Sequence, residues 1–286
     1  MEIVDFIVIK GGFMKISCLP VSLFQDMASG SMSVKEWMQM AKEVGLDGVD
    51  ISIILIKNHT TKYLNQLKTE IEDENMSITM ITTYPDFSHP DKIQTERELE
   101  YLKRDIALAS FLNVKYLRIL AGQDYPGINR DKTIKKVIEY FKMIAPIADK
   151  FGVKLVYENH SKPGVWDYSD FSHPTQIFLE IVEGIWDTNI GINFDTANSL
   201  ILGDDPVEIL KKVMEKVYVI HASDALSLGE LKPSVIGEGI VPFREIIRFL
   251  KEVKYDGWIC IEEASNTGID GIRKATEFIR KIWDSE

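Results

Sequence analysis

Glu158, Asp195, His221 and Glu262 each end an apolar run, in KLVYE (154–158), IGINFD (190–195), VYVIH (217–221) and WICIE (258–262). A buried strand gains nothing from a carboxylate or imidazole at its tip, because removing such a group from water is costly unless it finds a partner. Fourfold repetition therefore asks for a common cause. Three carboxylates and one imidazole make a donor set for one divalent metal ion, Mn, Mg, Zn or Co. A cation held this way is a Lewis acid.

Such a set works only if the four tips meet, which calls for parallel strands whose C-terminal ends surround one mouth. Four more apolar runs precede them: ISCL (16–19), GVDIS (48–52), SITMITT (77–83) and KYLRIL (115–120). Between and after the strands, apolar residues recur at three and four over 33–44, 61–75, 92–112, 130–151, 174–184, 206–216, 242–253 and 268–283, the helical period. Ser33, Asp205-Pro206 and Pro174 mark helix starts. The glycines of EVGLDG (43–48) and KFGV (150–153) mark helix ends. The expected fold is α/β, a single (β/α)8 TIM barrel over residues 14–286. An open doubly wound sheet is disfavoured, since no GxGxxG follows an early strand and tips on strands five to eight would not all converge there.

Composition narrows the classes. The chain has 286 residues, 45% hydrophobic and 27% charged, enough for one sizeable core without a linker. A net charge of −11 without a Lys/Arg cluster argues against nucleic acid as a partner. No apolar stretch approaches the roughly 18 residues of a membrane span, and no signal peptide opens the chain, so a cytoplasmic location is expected. Cys18 and Cys260 read as small core side chains of a reducing compartment. Met14 is read as the native start, because Lys10-Gly11-Gly12 is encodable by a run like a bacterial ribosome-binding site. The other reading makes EIVDFIVI, within residues 1–13, an extra strand. Pairing with a second copy stays open, with Trp283 as a contact or a lid on the core.

The segments ENH (158–160), NIGINFDTAN (189–198), VYVIHASD (217–224), IGEGIVPF (236–243) and YDGWICIEEA (255–264) resemble the consecutive motifs of the sugar isomerase/epimerase superfamily with a xylose-isomerase-like TIM barrel. The resemblance covers nearly the whole chain from Met14. Its ketose 3-epimerases and inosose dehydratases imply a metal held by Glu158, Asp195, His221 and Glu262. They also imply Glu158 and Glu262 as base and acid on opposite faces of the substrate, with Asp195 and His221 as ligands only. The implied activity is isomerisation or epimerisation of a sugar or sugar phosphate through an enediolate. The alternatives are dehydration of an inosose or hydroxy-keto acid and, further off, a barrel that binds without catalysis. The related apurinic endonucleases use additional histidines, and Asn198 stands where one is expected. Gly164, Asn198 and Ser227 also replace the Glu, His and Arg that clamp substrate in ketose 3-epimerases, which puts a free ketohexose in doubt.

Five further residues are candidates for substrate binding: His160, Asn198, Arg118, Trp166 and Asp224. Asp224 could instead accept a hydrogen bond from the second ring nitrogen of His221. Arg118 reads equally as a buried ion-pair partner. Trp166 and Tyr84 could shield the site from water. Asp50 is expected to pair with Arg118 or with a helix terminus. Strand alternation turns Glu263 away from the face that Glu262 shares. His59, His89 and His173 carry no spacing signal and read as structural or exposed. The duller reading of any one tip carboxylate is a helix cap or a surface charge.

Overall fold

The computed structural model describes residues 14–230 and 232–286; both readings of residues 1–13 lie outside it. The strands are β1 (Lys15–Leu19), β2 (Gly48–Ser52), β3 (Ser77–Thr82), β4 (Tyr116–Ile119), β5 (Lys154–Glu158), β6 (Gly191–Asp195), β7 (Val217–Ala222) and β8 (Trp258–Glu262). The α-helices among the described residues are α1 (Phe24–Ser29), α2 (Val34–Glu43), α3 (Thr61–Asp73), α4 (Lys92–Phe111), α5 (Arg130–Lys150), α6 (Thr175–Gly184), α7 (Pro206–Val213), α8 (Phe243–Glu252) and α9 (Ile269–Ser285).

All paired strands run parallel in one eight-stranded sheet, ordered β1-β8-β7-β6-β5-β4-β3-β2. This is a nearly closed (β/α)8 TIM barrel. At the seam between β1 and β2 the Asp47 amide donates to Ile16 O at 2.8 Å, while Asp47 Oδ2 accepts from Ile16 N at 2.8 Å. Arg280 of α9 also reaches Asp47 Oδ2, at 3.1 Å.

Burial on both faces explains the near-continuous apolar runs. Leu19, Met80, Tyr116, Val156, Val219 and Cys260 pack together as an inner cluster. The larger core lies between the sheet and the helices, and Trp283 packs partly buried against it. The helix signals work locally as expected. Ser33 and Glu36 form a reciprocal capping box at α2, and Asp205 caps α7 with Pro206 in its first turn. Gly45 and Gly152 turn the chain at φ 81° and 69°, in the left-handed region open to glycine.

Two differences have physical causes. Six residues are too few for a periodic signal, so α1 was not anticipated. The final turn expected for 206–216 tightens into a 3-10 helix over Met214–Lys216, as helix ends commonly do.

Candidate metal centre

Alternation along each strand places Val156 with Glu158, Asn193 with Asp195, Val219 with His221, and Cys260 with Glu262 on the inward face. Parallel register brings Asp195 opposite His221 and Leu19 opposite Glu262. The ligand atoms of Glu158, Asp195, His221 and Glu262 consequently all lie within 4.8 Å of one another. His221 Nδ1 stands 2.7 Å from Glu158 Oε1 and 3.0 Å from Glu262 Oε2. Glu263 faces the other way, its Oε1 accepting from the Ser265 amide at 2.9 Å and from the Ser265 hydroxyl.

Each member is held by its surroundings. Asp195 Oδ1 accepts from the amides of Ala197 and Asn198 at 2.9 and 2.8 Å, and Oδ2 accepts from Ser223 Oγ at 2.7 Å. The Asn159 side chain ties the tips of β5 and β6 together, donating to Asp195 O at 2.9 Å and accepting from Asp195 N at 2.8 Å. Arg118, from β4, lies 3.2 Å from Glu158 Oε2, with its side chain 2% exposed. The Tyr84 ring covers that guanidinium at 4.8 Å, and Tyr84 Oη lies 2.9 Å from Ser52 Oγ.

The electrostatics are those of a site built for a cation. Burial alone would raise the Glu158 carboxyl, but His221 and Arg118 more than offset this and bring it down to about 2. Burial lowers the His221 imidazole, yet the adjoining Glu158 and Glu262 carry it well above its ordinary value. Burial also pushes Asp195 up to about 8, reinforced by Glu262 and Glu158. Three carboxylates so close together repel unless a proton or a metal lies between them. The oxygen-rich donor set with one imidazole, its ligand atoms all within 4.8 Å of one another, fits a divalent ion.

Beside these tips opens a cavity of about 240 Å³. Tyr84, Arg118, His160, Asp195, Asn198 and Glu262 form its polar part, and Leu19, Val21, Phe24, Ile54, Val165 and Pro233 its apolar part. Helix α1 supplies Phe24, an element the periodicity did not reveal. His160 has an unpartnered Nδ1, and burial pulls its imidazole down to about 4. Arg118 is at once the buried ion-pair partner and a cavity residue.

Trp166 and Asp50 lie elsewhere than expected, and Asp224 lies at the cavity with its carboxylate already engaged. Trp166 is 8% exposed and does not line the cavity, while its neighbour Val165 does. Asp224 borders the cavity, but its carboxylate accepts from the amides of Ala225, Gly237, Gly239 and Val241 at 2.9–3.1 Å, so it braces the loop before α8. Asp50 pairs with neither Arg118 nor a helix end; it lies inside the barrel within 4.8 Å of His221 and Cys260. Asn159 and Ser223 were missed, because short polar side chains in loops carry no periodic signal.

Behind β5, Asp170 is fully buried. Its Oδ1 accepts from the amide and hydroxyl of Ser172 at 2.7 Å, its Oδ2 has no partner, and burial raises its carboxyl to about 8. His59 is exposed, and His89 and His173 are half-buried. Cys18 and Cys260 are free and buried. Among the described residues no helix is long and apolar enough to cross a membrane.

Residues 38–282 match the sequence profile of the xylose isomerase-like TIM barrel. The chain belongs to that family. An inosose dehydratase of Clostridium botulinum is 30% identical over 139 residues, 43% of this chain and 44% of the relative. The match thus spans about half the length of such relatives. The IOLI protein, whose crystal structure holds a zinc atom, superposes with a TM-score of 0.79 at 17% identity, covering 95% of this chain and 99% of its own. AsbF of Bacillus anthracis, a probable 3-DHS dehydratase, superposes with a TM-score of 0.77 at 19% identity, covering 93% and 99%. These two likenesses establish the fold alone.

Proposed function

We propose that the protein is a divalent-metal-dependent isomerase or epimerase that moves a proton beside a carbonyl of a small, sugar-like substrate. The observation that carries this reading is the convergence of Glu158, Asp195, His221 and Glu262 at the rim of a cavity that also presents Arg118 and His160. A cation held by those four residues would supply the Lewis acidity that makes a carbon-bound proton removable.

The remaining work falls to the chain itself. Glu262 is the more open of the two glutamates, with its side chain 18% exposed against 0% for Glu158. It takes the proton from the substrate face turned toward β8. Glu158, on β5 across the mouth, serves the opposite face: carrying a proton taken up from water, it delivers that proton to the carbon and inverts it, and the proton held by Glu262 returns to water, which completes an epimerisation. Return to the adjacent carbon gives an aldose–ketose isomerisation. Arg118 and His160 hold substrate oxygens from the polar side, Asn198 adds an amide, and the apolar side chains limit water. Asp195 and His221 hold the cation.

A second reading, dehydration, is favoured by the inosose dehydratase relatives and by Gly164, Asn198 and Ser227 at the positions of the ketose clamp. It shares the first proton removal and differs in expelling a β-hydroxyl. The test is deuterium incorporation from heavy water across ketoses, inososes and hydroxy-keto acids, using protein loaded with Mn, Co or Zn, with product analysis. Exchange at one carbon without loss of water supports isomerisation, and loss of water supports the lyase. Glu158→Gln and Glu262→Gln should each abolish exchange with the fold intact. Full activity in both variants would refute the mechanism.

A further inference from the structure

His221 presents only one of its nitrogens to the metal centre. Nδ1 faces Glu158 and Glu262, while Nε2 points down into the barrel, fully buried and without a hydrogen-bond partner. Beneath it lies the next inward layer of side chains. Cys260 is opposite His221 in the β7–β8 register, and Asp50 projects inward from β2. Asp50 is 0% exposed, with the Cys260 thiol, the Ser17 hydroxyl and the Met80 backbone beside its carboxylate. The ligating atoms of Asp50, Cys260 and His221 all lie within 4.8 Å of one another.

A buried carboxylate and a buried ring nitrogen are each costly unless they find partners. Here the two lie together, with a thiol able both to donate and to accept. An imidazole ligates through a nitrogen that carries no proton, so its proton must sit on the other nitrogen, and whatever that nitrogen bonds to fixes both tautomer and ring orientation.

We infer that Asp50, together with the Cys260 thiol, is the positioning group of the metal centre, holding the His221 proton on Nε2 and thereby leaving the Nδ1 lone pair free for the cation. This rests on the reading of His221 as a ligand. Asp50 touches neither the cation nor the substrate; it acts through the imidazole. Asp224, the acceptor expected from the sequence, has its carboxylate occupied by four backbone amides. The Cys260 side chain is thus part of a polar relay as well as of the inner apolar cluster.

The test uses the full chain with Zn²⁺ as the probe. Zinc affinity is measured by competition with a fluorescent chelator for wild type, Asp50→Leu, Asp50→Asn, His221→Ala and the Asp50→Leu/His221→Ala double variant. Asp50→Leu should weaken zinc binding roughly 10- to 100-fold. Asp50→Asn keeps an acceptor oxygen and should stay within about threefold of wild type by the same reasoning. The double variant should bind no worse than His221→Ala, since Asp50 acts only through the ring. Long-range ¹⁵N–¹H correlation of the wild-type imidazole, which requires no variant to fold, should show the zinc-loaded ring protonated at Nε2. A proton on Nδ1, an Asp50→Leu affinity within twofold of wild type, or two zinc ions per chain with Asp50 as a ligand would each overturn the assignment. If His221→Ala binds zinc as wild type does, the metal-centre reading fails instead.

Discussion

Cation uptake by the four strand tips should release about two protons at pH 7. In the metal-free protein His221 lies well above the usual imidazole value and Asp195 is pushed up to about 8. At pH 7 a carboxyl titrating near 8 is about nine-tenths protonated, and the raised imidazole favours its protonated form. A cation needs both groups deprotonated. Glu158 and Glu262, both lowered, contribute no proton. The sign follows directly: both groups hold protons more tightly in the folded, metal-free site, so protons compete with the cation and affinity rises with pH. Two protons correspond to about a 100-fold change in affinity per pH unit near neutrality, or about 2.7 kcal/mol. Calorimetric titration with Zn²⁺ or Mn²⁺ in buffers of differing ionisation enthalpy gives the proton count, and repeating it at pH 6, 6.5 and 7 gives the slope. An affinity constant within threefold from pH 6 to 7 with no protons released would refute the electrostatic account of the site.

Arg118→Met leaves the Glu158 carboxylate buried without its guanidinium, and urea unfolding of the metal-free protein should show a loss of about 3–5 kcal/mol, the cost of breaking a buried pair. Asp170→Asn retains the oxygen that accepts from Ser172. Because burial raises the Asp170 carboxyl to about 8, its contribution to stability is fully present below its unfolded value and lost as pH rises toward 8. The variant should therefore melt like wild type at pH 4 and higher than wild type at pH 9; equal melting temperatures at pH 9 would count against the buried, protonated acid. Ser33→Ala removes one half of the α2 capping box and should cost about 1 kcal/mol, a fall of roughly 2–4 °C in melting temperature by calorimetry.

The barrel and its four converging tips were legible because both follow from periodicity: apolar runs of strand length, helical repeats between them, and an abrupt polar residue ending each of four runs. Glu262 could be separated from Glu263 by the same alternation. Partners across the barrel interior were not legible. The sequence marks Asp50 as inward or outward, yet nothing along β2 shows that it will face His221 from β7 instead of Arg118 from β4. Loop side chains resisted for another reason. Asp224, Asn159 and Ser223 act through single hydrogen bonds to particular backbone groups, and Trp166 turned inward within a loop whose path no periodic pattern describes.

The seam between β1 and β2 has a consequence for how the chain acquires its shape. Asp47 joins the two strands, and Arg280, 233 positions later, reaches over to hold it. Strand β1 also finds its ladder partner in β8. The first strand of the barrel thus waits for the last strand to be made before its ladder is paired, so that edge stays open through most of synthesis. Loop closure over that separation comes late and slowly. Truncation within α9 should yield a product that associates with itself or with chaperones, although all four tip residues precede the cut.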